Sequence, residues 1–317
     1  MTRVAAIDCG TNSIRLLVAD VPPVGAHTDL LRRMEVVRLG EGVDATGRLA
    51  PQAIERTRVV LAQYAAQARG LGAERVRMVA TSASRDAANR ADFERMVSTT
   101  LGRLPDVVSG LEEAQLSFLG ATGSLAAAAR AHGAQPPAAP YLVVDIGGGS
   151  TEFVLGDADG VHAARSVDIG CVRLTERHLR SDPPTADEIG AAESDVRAAL
   201  ADVAAVVPVD RAATLVGLAG SVTTVAALAL RLPAYDADAI HGSRIGVGAV
   251  RSVTAGLLTA SRRTRAALPV MHPGRVDVIG GGSLVLRVLM DAFELDEVVV
   301  SEHDILDGIA LHLARAR

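Results

Sequence analysis

Lysine is missing altogether: all 32 basic residues are arginine. That excludes a lysine Schiff base and a P-loop lysine. Any side-chain contact to an anion falls to arginine, with its planar multi-donor fork. Tryptophan is absent too, and aromatics make up only 2% of the chain. The cores must therefore be built from Ala, Val, Leu and Ile, and few rings exist on which a nucleobase can stack. Cysteine occurs twice, at Cys9 and Cys171, with no CxxC pair, which excludes a disulfide scaffold and a zinc ribbon. No apolar run approaches the roughly 18 residues of a membrane helix. Asp8 interrupts the N-terminus before a signal peptide's apolar segment has room to form. Net charge is −5, with no global basic surface for nucleic acid. The expectation is a cytoplasmic protein with reduced thiols and neither membrane nor nucleic-acid partners.

What is there is an apolar chain of 317 residues, 49% hydrophobic, long enough for two domains of roughly 150 residues each. One unit occurs twice. "VAAIDCGTNSIRLLVAD" (4–20) and "LVVDIGGGSTEFVLGD" (142–157) both read as strand, tight turn, strand. Aligning Asp8 with Asp145 also aligns Gly10 with Gly147, Ser13 with Ser150 and Asp20 with Asp157.

After each hairpin, strands and helices alternate, so the class is α/β. Residues 51–69 are expected as a helix with Pro51 in its first turn, Gly70 as its cap and a stripe of Ile54, Arg58, Leu61, Tyr64, Ala65 and Ala68. "RVRMVATSA" (75–83) reads as a strand running into a loop that carries Arg85 ahead of a helix. The Pro-rich stretch 132–140 is a linker or loop. "ATLVGLAGSVTTVAALALRL" (213–232) is strand, turn, helix, and "VDVIGGGSLVLRVLMDAF" (276–293) is strand, glycine turn, helix. A last strand and a last helix, 302–317, close the chain.

The turns at Gly147, Gly148, Gly149 and Ser150, at Gly217–Thr224 and at Gly280–Ser283 are rich in glycine and hydroxyls, as is the hairpin turn 9–13. Glycine lets backbone N–H groups come close to a ligand and converge on it, which is how uncharged main chain holds phosphate. At Gly220 and Ser221 a helix start adds its dipole. This is not a dinucleotide fingerprint, because Glu152 stands where the third glycine of GxGxxG belongs and a strand follows.

Carboxylates flank the second turn, Asp145 before it and Glu152 after it. Ser109 and Glu112 fit a capping box, which leaves Glu113 the free one of that pair. Arg15 lies opposite Glu152 in the repeat alignment, and substrate binding and pairing with Glu152 both stay open. His241, His272 and His303 lack metal-ligand spacing. Asp304 in "EHD" reads as a helix cap, and Cys9 as a packing residue.

The ordered set "AIDCGTNSIRLLVAD", "RLGEGVDATGRLAPQAIERT", "ATSASRDAAN", "SGLEEAQLSFLGA", "VVDIGGGSTEFVLG", "GLAGSVTT" and "VIGGGS" resembles the exopolyphosphatase and guanosine pentaphosphate phosphohydrolase family of the actin-like ATPase superfamily, in its short two-domain form. The resemblance implies two RNase H-like domains with mixed sheets and an active cleft between them. The expected domains are 1–130 and 131–301, with the last helix, 302–317, returning to the first.

By resemblance, Glu113 matches the glutamate that serves as general base for water. Asp145 and Glu152 match acidic residues that hold a divalent cation (Mg²⁺ or another) and the water, and Arg85 matches a phosphate ligand. Backbone at Thr11, Asn12 and Ser13, at Gly147–Ser150 and at Gly220–Ser221 cradles successive phosphates. The expected activity is exopolyphosphatase, with inorganic polyphosphate as substrate. The alternatives are guanosine pentaphosphate hydrolysis, binding of guanosine penta- or tetraphosphate as a nucleotide switch, and a small-molecule kinase using Gly280–Ser283 for a nucleotide. A homodimer and a monomer both stay open.

Overall fold

The computed structural model describes residues 1–23 and 27–315. The last two residues of the expected closing helix lie outside that range. The chain divides into two compact units, Met1–Gly123 with Asp304–Arg317, and Ser124–His303.

The first unit opens with β1 (Thr2–Cys9), β2 (Ser13–Val21) and β3 (Thr28–Val36), followed by α1 (Val43–Thr46), α2 (Pro51–Gly70) and β4 (Arg75–Ala80). Then come α3 (Ser82–Asp86), α4 (Arg90–Leu101), β5 (Asp106–Val107) and α5 (Gly110–Thr122). The second unit holds α6 (Leu125–Ala131), β6 (Tyr141–Ile146), β7 (Thr151–Asp157), β8 (Gly160–Val167), α7 (Cys171–Arg177) and α8 (Ala186–Ala204). It continues with β9 (Thr214–Leu218), α9 (Ala219–Ala229), α10 (Ala237–Ile240), β10 (Arg244–Gly246), α11 (Val247–Thr259), α12 (Arg262–Ala266), α13 (Ile279–Ala292) and β11 (Glu297–Val300). Helix α14 (Ile305–Arg315) returns to the first unit. The division falls after Gly123, just ahead of α6, rather than at the expected 130/131.

Each unit carries one mixed sheet built on the same plan. The first runs β3-β2-β1-β4-β5, and the second β8-β7-β6-β9-β11 with β10 added at the edge. In both, an antiparallel hairpin of three strands is extended by strands parallel to its first member. This is the RNase H-like arrangement, present twice. The repeated hairpin keeps its register, with Asp8 opposite Arg15 and Asp145 opposite Glu152.

Strand alternation puts Ile7, Ile14 and Leu16 of the first sheet on one face, in the cluster with Leu61 of α2 and Phe93 of α4. The other face presents Val4, Ala6 and Leu17 to Leu116 of α5 and to Ile305 and Ile309 of α14. Helices α5 and α14 cross backbone to backbone. A β-carbon added at Gly120 would lie 1.8 Å from the Asp304 carbonyl oxygen, and one at Gly308 1.9 Å from that of Leu116. In the second unit, Leu142, Val144 and Phe153 pack with Val222 of α9 and Leu286 of α13.

Several local expectations are corrected. Helix α2 buries Ala53, Thr57, Leu61, Tyr64, Ala65 and Ala68, while Arg58 points outward and pairs with Glu55 at 2.7 Å. Gly70 is the last helical residue, and the left-handed position that needs glycine is Gly72, φ +73°. Arg85 lies in the last turn of the short helix α3, not in a loop. No strand precedes the glycines at 280–282, which sit inside the first turns of α13. Gly280, Gly281, Gly282 and Ser283 are all buried there. They are glycine because α13 is pressed against its neighbours: a β-carbon at Gly282 would lie 2.0 Å from Ser221 Oγ, and one at Gly281 2.8 Å from the Cys171 carbonyl oxygen. Among the described residues no helix is long and apolar enough to cross a membrane.

Candidate active site

The two hairpin turns close identically. Gly10 N–H donates to the Ser13 carbonyl at 3.0 Å, and Gly147 N–H to the Ser150 carbonyl at 3.0 Å. In the second turn, the Gly147 carbonyl accepts from Cys171 N–H at 2.9 Å, that of Gly148 from Val172 at 2.9 Å and Arg173 at 3.1 Å. The Gly149 carbonyl accepts from Arg173 Nε at 2.8 Å. All three carbonyls are thus drawn toward the start of α7. A trans peptide is planar, with C=O and N–H opposed. The N–H groups of Gly148, Gly149 and Ser150 therefore point together, away from α7. Such a concave row of donors is an anion cradle. None of these glycines has positive φ. At Gly147 space favours glycine: a β-carbon there would lie 3.0 Å from the Ser150 carbonyl oxygen.

The first turn is braced in the same sense by the chain after β3. The Thr11 carbonyl accepts from Gly40 N–H at 2.8 Å, and that of Asn12 from Val37 at 3.1 Å and Arg38 at 2.8 Å. The N–H groups of Asn12 and Ser13 are accordingly turned the other way. Among the described residues, neither Asn12 nor Gly148 nor Gly149 donates its N–H to a backbone acceptor. The Thr11 hydroxyl is tied to Ser82 Oγ at 2.9 Å, which fixes the turn against α3.

Helix α3 also carries Arg85, whose Nη1 lies 3.1 Å from Glu113 Oε2 and 3.2 Å from the Val108 carbonyl. The first unit therefore brings Arg85 and Glu113 together. Glu113 is not the free member expected: it is 8% exposed and ion-paired. The capping box is half formed. Ser109 Oγ accepts from Glu112 N–H at 3.2 Å, but the Glu112 carboxylate turns to Arg77 at 2.8 Å instead of reaching back.

Arg15 donates to Asp8, its cross-strand neighbour, at 2.6 Å and forms an ion pair with Asp304. It is thus engaged by carboxylates of its own unit. Asp304 also caps α14, accepting from Leu306 N–H at 2.9 Å, as expected. Burial pushes the Asp8 carboxyl upward and Arg15 opposes the shift. Asp8 Oδ1 is buried without a hydrogen-bond partner among the described residues.

In the second unit the equivalent cross-strand pair is two carboxylates, Asp145 and Glu152, 8% and 1% exposed. Like charges directly opposite on a sheet repel, and hard divalent cations are held by this kind of oxygen pair. Among the described residues no group of three or more His, Cys, Asp or Glu is placed to hold a metal ion. Two carboxylates, with substrate phosphates and water completing the shell, is the manner in which Mg²⁺ is usually bound, so the residues present fit a divalent cation.

Helix α9 begins directly after β9, with Leu218 as an N-cap that supplies no side chain and Ala219 at φ +68°. Its first N–H groups are thus left to a ligand or water. Over this end lies a residue that sequence reasoning missed. A β-carbon at Gly220 would be 2.3 Å from Arg275 Cζ, and Arg275 Nη1 donates to Thr224 Oγ1 at 3.2 Å. Among the described residues Arg275 makes no ion pair. A guanidinium at the positive end of a helix dipole without a carboxylate is an arrangement that an anion completes. Its only sequence signal was "PGR", just ahead of the glycines.

Both cysteines are buried, and burial pushes both thiols up, Cys9 strongly. Both shifts disfavour the thiolate, the nucleophilic form of cysteine. His241 and His303 stack at 4.6 Å and share Ser124 Oγ, at 3.0 and 2.9 Å.

A model of the Ppx/GppA phosphatase family matches residues 17–316. The chain is 53% identical to exopolyphosphatase 2 of Mycobacterium tuberculosis, over 99% of both chains. It is 31% identical to a bifunctional 3-dehydroquinate synthase/phosphatase of Fusobacterium nucleatum, covering 97% of this chain and 46% of that protein. Among solved structures, an exopolyphosphatase-like protein superposes with TM-score 0.92 at 40% identity, over 99% of each chain. The Aquifex aeolicus PPX-GPPA enzyme superposes with TM-score 0.77 at 31% identity, over 98% of this chain and 99% of that one.

Proposed function

The chain belongs to the Ppx/GppA phosphatase family, and from that premise we propose that it is an exopolyphosphatase, removing the terminal phosphate of inorganic polyphosphate. The observation that carries the polyanion is the N–H row of Gly148, Gly149 and Ser150, whose peptide partners, the carbonyls of Gly147, Gly148 and Gly149, are all engaged on the far side. The similarity to a protein named exopolyphosphatase 2 narrows the polyanion to polyphosphate.

The roles follow from the chemistry of the groups. Backbone at Thr11–Ser13, Gly147–Ser150 and Gly220–Ser221 binds phosphate oxygens, with Arg275 adding charge-assisted bonds. Glu113 takes the proton of the attacking water. The water oxygen bonds to the terminal phosphorus, the bridging P–O bond breaks, and orthophosphate and a chain one unit shorter leave. Arg85, ion-paired with Glu113, offsets the repulsion between that carboxylate and a polyanion. Asp145 and Glu152 would hold a divalent cation, Mg²⁺ first, which when bound supplies charge neutralisation on the phosphoryl oxygens and lowers the pKa of bound water. We place the activity in the cytoplasm, where two reduced thiols belong.

One second reading has support of its own. A guanosine-5'-triphosphate,3'-diphosphate pyrophosphatase of Photobacterium profundum is 33% identical over 189 residues, 59% of this chain but 36% of that protein. Hydrolysis of guanosine pentaphosphate by the same groups is therefore the alternative. The kinase reading loses its support, because the glycines at 280–282 are buried in packing.

Orthophosphate release from polyphosphate and from guanosine pentaphosphate, measured side by side with and without Mg²⁺, tests the proposal. Mg²⁺-dependent release from polyphosphate at the higher kcat/KM is the expected result. Release from the nucleotide alone would replace the first reading with the second.

A further inference from the structure

Glu152 is the middle member of a lateral row of three polar residues. Register sets Asp145 opposite it on β6 and Ser166 opposite it on β8. The Ser166 hydroxyl lies 2.7 Å from Glu152 Oε1. A carboxylate only accepts, so the serine is the donor, and a bond of this length is in the charge-assisted range.

The repeat provides an internal control. In the first unit the same row runs Asp8, Arg15, Met34. There the middle place is a guanidinium that donates to Asp8 Oδ2, at 2.6 Å, and the third place is apolar. In the second unit the middle place is a carboxylate facing another carboxylate, and the third place is a hydroxyl aimed at it. The two rows share backbone and register and differ in charge. The hydroxyl therefore goes with the carboxylate pair, not with the demands of the sheet.

We infer that Ser166 is a positioning residue for Glu152. Repulsion from Asp145 acts to turn the Glu152 side chain off the row. The Ser166 hydrogen bond holds one carboxylate oxygen and so fixes the plane of the group across from Asp145. This rests on the proposal that Asp145 and Glu152 hold a divalent cation. Outer partners that orient ligating carboxylates are worth about 10- to 100-fold in cation affinity or activity.

The test uses Mn²⁺ as the probe, with binding to the full-length protein counted by electron paramagnetic resonance, alongside the Mg²⁺ concentration for half-maximal turnover. Ser166→Ala is expected to weaken Mn²⁺ about tenfold and to raise the Mg²⁺ requirement by a similar factor. Ser166→Thr keeps the hydroxyl and is expected to restore both to within about twofold. Ser166→Ala with wild-type Mn²⁺ affinity overturns the inference. So does a Ser166→Thr variant as weak as the alanine, since that effect is packing. Glu152→Gln separates the two levels: undiminished Mn²⁺ uptake in that variant overturns the cation reading beneath the inference, whatever Ser166 does.

Discussion

The guanidinium of Arg275 lies so closely over Gly220 that a β-carbon on the glycine would sit 2.3 Å from Arg275 Cζ. Backbone donors at the start of α9 and a cation unpaired among the described residues thus share one place. Arg275→Ala is expected to lower kcat/KM for polyphosphate about 10- to 100-fold, the worth of a charge-assisted bond. Gly220→Ala is expected to do the same without removing the arginine, by pushing the guanidinium aside. Steady-state kinetics on both variants check this, and activity unchanged in both removes Arg275 from the site.

Ala219 enters α9 at φ +68°, a left-handed conformation that costs an L-residue roughly 1 kcal/mol. Ala219→Gly is expected to stabilise the protein by up to about 1 kcal/mol, the relief of strain being partly offset by glycine's entropy. Urea unfolding of the variant reads the difference, and a loss of stability contradicts the strain argument.

Gly308 on α14 faces the Leu116 carbonyl across the α5 contact. Gly308→Ala places a methyl 1.9 Å from that oxygen, and backbone on both sides has to move. The expected cost is about 3 kcal/mol, at the upper end for overpacking, visible as a lowered thermal midpoint.

His27 Nε2 lies 3.2 Å from Asp29 and 3.0 Å from the buried carboxylate of Asp307. Their hydrogen bonds raise its pKa to about 9. The folded value exceeds the unfolded one, about 6.5. Its contribution is therefore fully present below about pH 6.5 and is lost as pH rises through about 9. Stability measured between pH 6 and 9.5 should fall in the wild type with a slope that His27→Gln removes. An equal slope in both proteins contradicts the assignment.

Much of the fold was legible because it is written twice. Asp8, Gly10 and Ser13 recur as Asp145, Gly147 and Ser150, and the two hairpins keep one register. Helix α14 and its cap at Asp304 were legible from local pattern alone. The misreadings concern contacts between segments distant in sequence. Glycines at 280–282 look like a loop and are instead a helix start pressed against Ser221 and Cys171. The partners of Glu113 and Glu112 are Arg85 and Arg77, each from another element, so neither pairing shows in the run "SGLEEA". Arg275 was invisible among 32 arginines, because nothing local distinguishes a cation that lies over a helix start from one on the surface.

Hydrolysis of polyphosphate in ¹⁸O-labelled water, with Mg²⁺ present, tests the central claim most directly. The account predicts one solvent oxygen in each released orthophosphate, and a fall in turnover of about 100-fold or more in Glu113→Gln. Orthophosphate without solvent oxygen, or turnover undiminished in that variant, would contradict water attack assisted by Glu113.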